Sequence, residues 1–391
     1  GLFFFYLSIN SVTSIFCTGK YELAIMIPSK DSKGAGLVII AVVLSLFTSI
    51  ILLLLVIFFR YPVSEILGNK DIAPWLYFVP LSTFLIGAFH AFSYWHNRKK
   101  YYKRIASANL FQSLVNSLVK VSAFNLLKNG GGLIAGAILG QVTGFFIFLS
   151  GIIDKSDRIF QKISVKEIRP LMKEFRLFPK YNMPHYLVNN FSSNLPVFIF
   201  SSYFNADQVG YYSLGFLMIN RPMNLLINSV SQVFSQRIIE KYNNGKKIYS
   251  DVKRLVWRFL LIGILPFLLA GLFGPSLFAF IFGEEWLFAG KYMQVMLPWL
   301  FIVFLSSPLS FIPDVMKRQR KAMFLDMIKL IARLVVLILG VLVNDIYLSV
   351  IFFSTASSLV IMYNLYWYMN LARDADRDLN RRISLNDEKD N

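Results

Sequence analysis

The stretch AVVLSLFTSIILLLLVIFF, residues 41–59, carries no charge and shows no alternation of apolar with polar positions. About 20 apolar residues span the ~30 Å hydrocarbon layer as a helix, whereas a barrel strand needs segments of about ten alternating residues. The stretch therefore reads as a transmembrane helix, and a β-barrel is excluded. Similar runs recur along the 391-residue chain, which is 56% hydrophobic and only 16% charged. A soluble domain carries about 25% charged residues.

Working outward from residues 41–59, eleven spans can be read: 1–18, 37–59, 74–95, 104–127, 132–153, 184–204, 209–236, 255–282, 292–314, 322–343 and 346–370. The expected fold is an all-α integral membrane protein. The first residue is Gly rather than Met, and no charged segment precedes the apolar start. That start is not a signal peptide; it is read as the beginning of a spanning helix or a cut end.

The cations alternate between the two sets of loops. One set holds Lys20, Lys30 and Lys33, the turn from Arg98 to Arg104, the segment from Lys155 to Lys180, the stretch Arg237–Arg258, the turn Lys317–Lys321 and the polar tail. The other set holds Arg60, Lys70, Lys128 and Lys291. The positive-inside rule makes the rich side cytoplasmic, so the C-terminus is expected in the cytoplasm. The net charge of +18 then reflects topology and contact with anionic membrane lipids rather than nucleic acid.

Four cations remain within spans: Lys120, Arg221, Lys329 and Arg333. No acidic residue sits at the middle of a span, so the interior is cationic. A central charge costs about 2.5–3.5 kcal/mol on insertion scales, which makes each of the four a functional candidate. In FLDMIKLIARLVV, residues 324–336, Asp326, Lys329 and Arg333 share one helical face. Arg333 is near mid-span, while Asp326 lies toward the cytoplasmic end. Lys329 either pairs with Asp326 or extends a positive path. Arg221 precedes Pro222 near the middle of its span, where a kink is expected. Lys120 either snorkels to the outer surface or faces a cavity.

Amides accompany the cations. Asn109, Gln112, Asn116 and Lys120 recur at helical spacing, as do Asn220 or Arg221, Asn224, Asn228 and Gln232. Such stripes serve either helix–helix hydrogen bonding or a polar path. Gly132, Gly136, Gly140 and Gly144 form a small-residue stripe that close helix packing explains. The lone Cys17 excludes an internal disulfide, and His90, His96 and His185 read as packing or interface residues. The reading requires no metal, cofactor or catalytic group. A membrane polymerase or ligase is disfavoured because the longest outer loop, about 60–73, is short.

The chain also repeats itself. Residues 67–110 resemble 282–327, with a proline in each descending helix (Pro80, Pro298) and a basic turn, and GLFFFYLSI resembles GYYSLGFLMI at 210–219. An even number of spans separates equivalents, so the halves are parallel repeats. Two pseudo-symmetric lobes around a central cavity are expected, with eleven helices visible of twelve. The organisation is a five-helix lobe at 1–153, a basic amphipathic linker at 154–183, a six-helix lobe at 184–371 and a tail at 372–391.

The motifs TGKYELAIMIP (18–28), LVNNFSSNLPVF (187–198), VGYYSLGFLMINRP (209–222) and SVSQVF (229–234) resemble bacterial polysaccharide-biosynthesis proteins, the Wzx-type flippases of the multidrug/oligosaccharidyl-lipid/polysaccharide superfamily. The resemblance covers essentially the whole chain. It implies a multi-pass protein of the bacterial inner membrane that flips undecaprenyl-diphosphate-linked oligosaccharide by alternating access, alongside other polysaccharide-assembly proteins. From the residues themselves, Arg221, Arg333, Lys120 and Lys329 are candidates for the diphosphate, and Asn116, Asn224 and Asn228 for sugar hydroxyls. A cation-coupled multidrug exporter of the same superfamily is the alternative.

Overall fold

The computed structural model describes residues 2–66, 72–123, 131–154, 159–160 and 163–390. Lys70, Lys128, Lys155, Arg158 and Lys162, assigned above to loops, lie outside the described residues. The described residues form helices and turns, with no strand among them.

Among the described residues, thirteen α-helices follow in order. They are α1 (Leu2–Phe16), α2 (Asp31–Ile66), α3 (Phe78–Arg98), α4 (Tyr102–Ser122), α5 (Gly131–Asp154), α6 (Val165–Glu174), α7 (Met183–Tyr203), α8 (Ala206–Asn243), α9 (Tyr249–Phe282), α10 (Leu287–Ser306), α11 (Ile312–Val315), α12 (Gln319–Leu342) and α13 (Ile346–Asp390). Among the described residues, each of the eleven spans read from sequence holds a helix; α6 is an additional short element, and α11 falls at the end of the span read over 292–314. Six segments among the described residues are long and apolar enough to cross a membrane, and they cover all or most of α2, α3, α5, α9, α10 and α13. Of the remaining long helices, α4, α7, α8 and α12 are the ones that carry the amide stripes and the four cations.

Two details differ from the sequence reading. The span expected over 292–314 is not one helix: α10 stops at Ser306 and gives way to a 3-10 turn before α11. Pro308 and Pro313 lack the N–H that a continuing helix would use, which accounts for the break. The second difference is at the C-terminus, where α13 continues past residue 370 through the polar tail as far as Asp390.

The chain divides into two compact units, Gly1–Met183 and Pro184–Asn391. The stretch read as a linker sits with the first unit. Ser164 caps α6 by accepting from Lys166 N, and the apolar side of α6 packs on α2, with Leu171 buried against Gly36. Lys33 Nζ binds Glu174 at 2.7 Å, tying the end of α6 to the start of α2.

Each unit repeats the same neighbour pattern. α2 packs on α3 as α9 packs on α10, α3 on α5 as α10 on α13, α4 on α5 as α12 on α13, and α1 on α3 as α8 on α10. The turn before α4 places Lys100 in the left-handed region at φ 60°, and the turn before α12 does the same with Lys317 at φ 55°. A β-carbon at Gly132 would meet Ala123, and one at Gly340 would meet Ser349, the same pair of positions in the same register. The internal repeat is thus present in the backbone itself, at a spacing of 217 residues (Lys100 to Lys317).

Candidate functional site

Helix α12 begins after Arg318 and presents Asp326, Lys329 and Arg333 at spacings of three and four, all three buried. What they meet comes from helices distant in sequence. Lys329 Nζ donates to Asp326 Oδ1 at 2.7 Å and to Asn189 Oδ1 of α7 at 2.8 Å. The second carboxylate oxygen of Asp326 lies 2.9 Å from His185 Nδ1, also on α7. One turn further on, Arg333 Nε donates to Ser357 Oγ of α13 at 2.8 Å, and its Nη1 donates to Ser192 Oγ of α7 at 3.0 Å. The guanidinium carbon also stands 4.7 Å from the ring centre of Phe353 and 5.3 Å from that of Trp299.

The charges in this cluster do not cancel. Asp326 neutralises one cation, and Lys329 takes it. Arg333 is only 2% exposed and has no carboxylate partner among the described residues. Hydroxyl oxygens and the negative faces of two aromatic rings stabilise it instead. A buried charge without a counter-ion is costly, and the cost is offset here by two hydrogen bonds to hydroxyls and by cation–π contact rather than by pairing. The cluster therefore keeps a net positive charge among buried helices of the second unit.

Candidates on α8 are placed differently. Arg221 is exposed, next to Pro222, and the helix runs through that proline without interruption. Asn224 Nδ2 donates to Asn220 Oδ1 at 3.0 Å, while Asn228 is exposed one turn along. Helix α7 adds a second accessible polar face, with Asn190, Ser193 and Asn194 exposed and Asn194 donating to the Asn190 carbonyl at 2.8 Å.

In the first unit, Asn116 and Lys120 lie where α4 meets the glycine stripe of α5. A β-carbon at Gly136 would come within 2.7 Å of Lys120 Cγ and 2.8 Å of the Asn116 carbonyl oxygen. At Gly140 it would lie 2.7 Å from the Gln112 carbonyl oxygen. The stripe is thus a packing device, as its spacing predicted, and only glycine permits this approach. Lys120 is half-buried, with its Nζ 4.8 Å from the centre of the Phe3 ring. Asn116 Oδ1 and Gln112 Oε1 are buried with no hydrogen-bond partner among the described residues.

The structure therefore brings Lys329 and Arg333 into one cluster, leaves Arg221 and Asn228 accessible on α8, and sets Asn116 and Lys120 at the α4–α5 seam. Sequence reasoning missed His185, Asn189, Ser192, Ser357 and the two aromatic faces. The run NNFSSN, residues 189–194, was the available signal, since six successive residues with five polar members are unusual within an apolar helix. No group of three or more potential metal ligands occurs among the described residues.

Residues 9–290 match a family model described as polysaccharide biosynthesis protein. No curated protein matches the chain at a significant level. Among solved structures, the chain is similar to an outward-facing multidrug resistance MATE family transporter of the MOP superfamily, with 12% identity and a TM-score of 0.77 over 96% of this chain and 88% of that one. It also resembles the bent form of a Vibrio cholerae MATE transporter, VcmN, at 14% identity and TM-score 0.70 over 95% and 86%. A third similar structure is a MOP superfamily transporter from Pyrococcus furiosus whose binding-pocket polarity is described as reversed, at 12% identity and TM-score 0.70 over 95% and 85%. At these identities the likeness shows the transporter fold.

Proposed function

Because this chain belongs to the polysaccharide biosynthesis protein family and has a transporter fold, we propose that it flips undecaprenyl-diphosphate-linked oligosaccharide repeat units across the bacterial cytoplasmic membrane by alternating access. The observation that carries the reading is the net positive charge held inside the spanning helices of the second unit: Arg333 is buried without a carboxylate partner, and Arg221 is accessible on α8. A diphosphate headgroup must cross ~30 Å of hydrocarbon, and guanidinium groups suit its oxygens through paired N–H donors. Arg221 and Arg333 are the anchors for the diphosphate, and Lys329 and Lys120 extend the positive path. Asn116, Asn224 and Asn228 supply donors and acceptors for sugar hydroxyls, joined by Asn190 and Asn194 on the accessible face of α7.

The test is export of polysaccharide by a strain complemented with the full-length gene. Arg221→Ala and Arg333→Ala should each abolish export while the protein still inserts at normal levels. Full export by both variants would remove the assignment.

One observation favours a second reading, a cation-coupled multidrug exporter. Asp326 is a buried carboxylate in a helix of spanning length, within 2.9 Å of His185. Carboxylates of that kind suit the coupling of ion movement to transport. A drug-resistance assay on an overexpressing strain separates the readings: resistance that depends on Asp326, with normal polysaccharide export in a deletion strain, would select the exporter.

A further inference from the structure

Helix α6 and the π-helical turn that follows it, Phe178–Asn182, divide their side chains by charge. Ile168, Leu171, Phe175 and Phe178 recur at spacings of three and four and pack into the apolar core of the first unit. Lys166, Arg169, Lys173, Arg176 and Lys180 recur at the same spacings, and all five are exposed. On α6 each cation precedes an apolar residue by two positions, about 200° around a helix, so the two stripes lie on opposite faces. Arg176 and Lys180 carry the cationic pattern into the turn. None of the five pairs with a carboxylate among the described residues. Of the two glutamates on α6, Glu174 is occupied by Lys33, which donates to its two oxygens at 2.9 and 2.7 Å.

The contacts of α6 fix its level. A β-carbon at Gly36 would lie 2.7 Å from Leu171 Cδ2, and Tyr21 Oη donates to the Met172 carbonyl at 3.2 Å. Gly36 immediately precedes the uncharged run 37–59, which is long enough to span the hydrocarbon layer. Helix α6 therefore lies beside the last turn before that layer, at headgroup level on the cation-rich side. An interfacial amphipathic helix ordinarily sinks its apolar face into lipid. Here protein covers that face, and the helix offers the membrane surface its charge.

The cationic stripe ends at a hollow of about 640 Å³ lined by Arg176, Lys180, Tyr181, Leu177 and Pro179. The volume lies in the range of roughly 300–1,000 Å³ that small-molecule sites occupy. Lys180 Nζ stands 5.3 Å from the centre of the Tyr181 ring. The lining joins two cations and a tyrosine to apolar Leu177 and Pro179 and includes no carboxylate. Such a lining suits a molecule with an anionic head and an apolar body better than it suits a soluble anion.

We propose that this stripe is a docking surface for anionic phospholipids of the adjoining leaflet, with one headgroup seated in the hollow by Arg176 and Lys180. A cluster of roughly four to eight cations next to a spanning helix is the pattern that anionic leaflets attract. Five such cations stand directly before α7. The surface serves whatever cargo the chain moves.

Native mass spectrometry of the purified full chain, titrated with phosphatidylglycerol, phosphatidylcholine or undecaprenyl diphosphate, tests the surface. Each cation contributes about fivefold toward an anionic surface, so Arg176→Gln combined with Lys180→Gln should lower phosphatidylglycerol retention about 25-fold. Lys246→Gln combined with Lys247→Gln removes equal charge from exposed positions between α8 and α9 and should leave retention nearly unaltered. All four side chains are exposed, so neither pair of changes disturbs the core. Equal losses from the two pairs, or equal retention of phosphatidylglycerol and phosphatidylcholine by the unaltered protein, overturn the proposal. Retention of undecaprenyl diphosphate through Arg176 and Lys180 without retention of phosphatidylglycerol also overturns it, and assigns the hollow to a diphosphate lipid.

Discussion

In α4, Gln112 and Asn116 press against glycines of α5, and their buried amide oxygens lack partners among the described residues. In α12, the corresponding Lys329 and Arg333 meet side chains instead: Asp326, Asn189, Ser192 and Ser357. The register between the helices also pairs Asn109 with Asp326, Gly136 with Phe353 and Gly140 with Ser357. Where two backbones approach closely at Gly140 and Gly144, little room remains for a partner, and the polar residues there are the neutral amides Gln112 and Asn116. Where Phe353 and Ser357 replace the glycines, the space between helices admits a guanidinium together with its hydroxyl and its aromatic face. One polar pattern therefore serves as a packing seam in the first unit and as a charged cluster in the second.

The largest expected effect comes from breaking the cluster at its single carboxylate. Asp326→Asn leaves Lys329 and Arg333 buried together with no counter-ion, and removing one partner of a buried pair costs about 3–5 kcal/mol. The triple change Asp326→Asn, Lys329→Gln, Arg333→Asn writes the first-unit residues into α12 and removes every charge of the triad. It should be less destabilising than Asp326→Asn alone. Thermal unfolding of both variants in detergent checks the order, and a lower midpoint for the triple variant would mean that the charges are not coupled as described.

Smaller effects follow from exchanging the residues opposite. Ser357→Gly removes the acceptor for Arg333 Nε, and a hydrogen bond to a buried charge contributes about 1.5–3 kcal/mol. The reciprocal change, Gly140→Ser, forces a β-carbon to 2.7 Å from the Gln112 carbonyl oxygen, and overpacking of this kind costs about 1–3 kcal/mol. Both should lower the unfolding midpoint, although one residue shrinks and the other grows. A neutral Gly140→Ser would show that the α4–α5 seam has slack and that the comparison rests on charge alone.

Much of this was legible in the sequence, for identifiable reasons. Apolar runs of membrane length mark helices whatever they pack on, so the positions of the spanning helices followed from hydropathy. Glycines at every fourth residue predict a close helix contact, and α5 makes one with α4. The pairing of Lys329 with Asp326 was available from its spacing of three. Spacing along α12 says which residues share a face and nothing about which helix that face meets. Helix α7 lies more than 130 positions earlier in the chain, so His185, Asn189 and Ser192 could not be linked to α12 from periodicity. The break after Ser306 escaped for a different reason, because Pro308 and Pro313 interrupt the helix without interrupting the apolar run.

The smallest stability effect is expected at Asn116, and it sharpens the comparison most. Its Oδ1 is buried with no hydrogen-bond partner among the described residues, a state that costs about 1–3 kcal/mol in a dry environment. Asn116→Leu removes the orphaned group at similar volume, so the unfolding midpoint should stay unchanged or rise. Arg333→Leu, at the corresponding position of α12, removes two hydrogen bonds and two cation–π contacts and should lower it. If Asn116 serves the cargo, export should fall in Asn116→Leu despite the intact or improved fold, because a retained but unsatisfied amide is worth its cost only where a ligand completes it. Unchanged export would assign Asn116 to the seam and remove it from the functional polar path. A lowered midpoint for Asn116→Leu would instead show that the amide is satisfied, and that the two helices differ less than their contacts indicate.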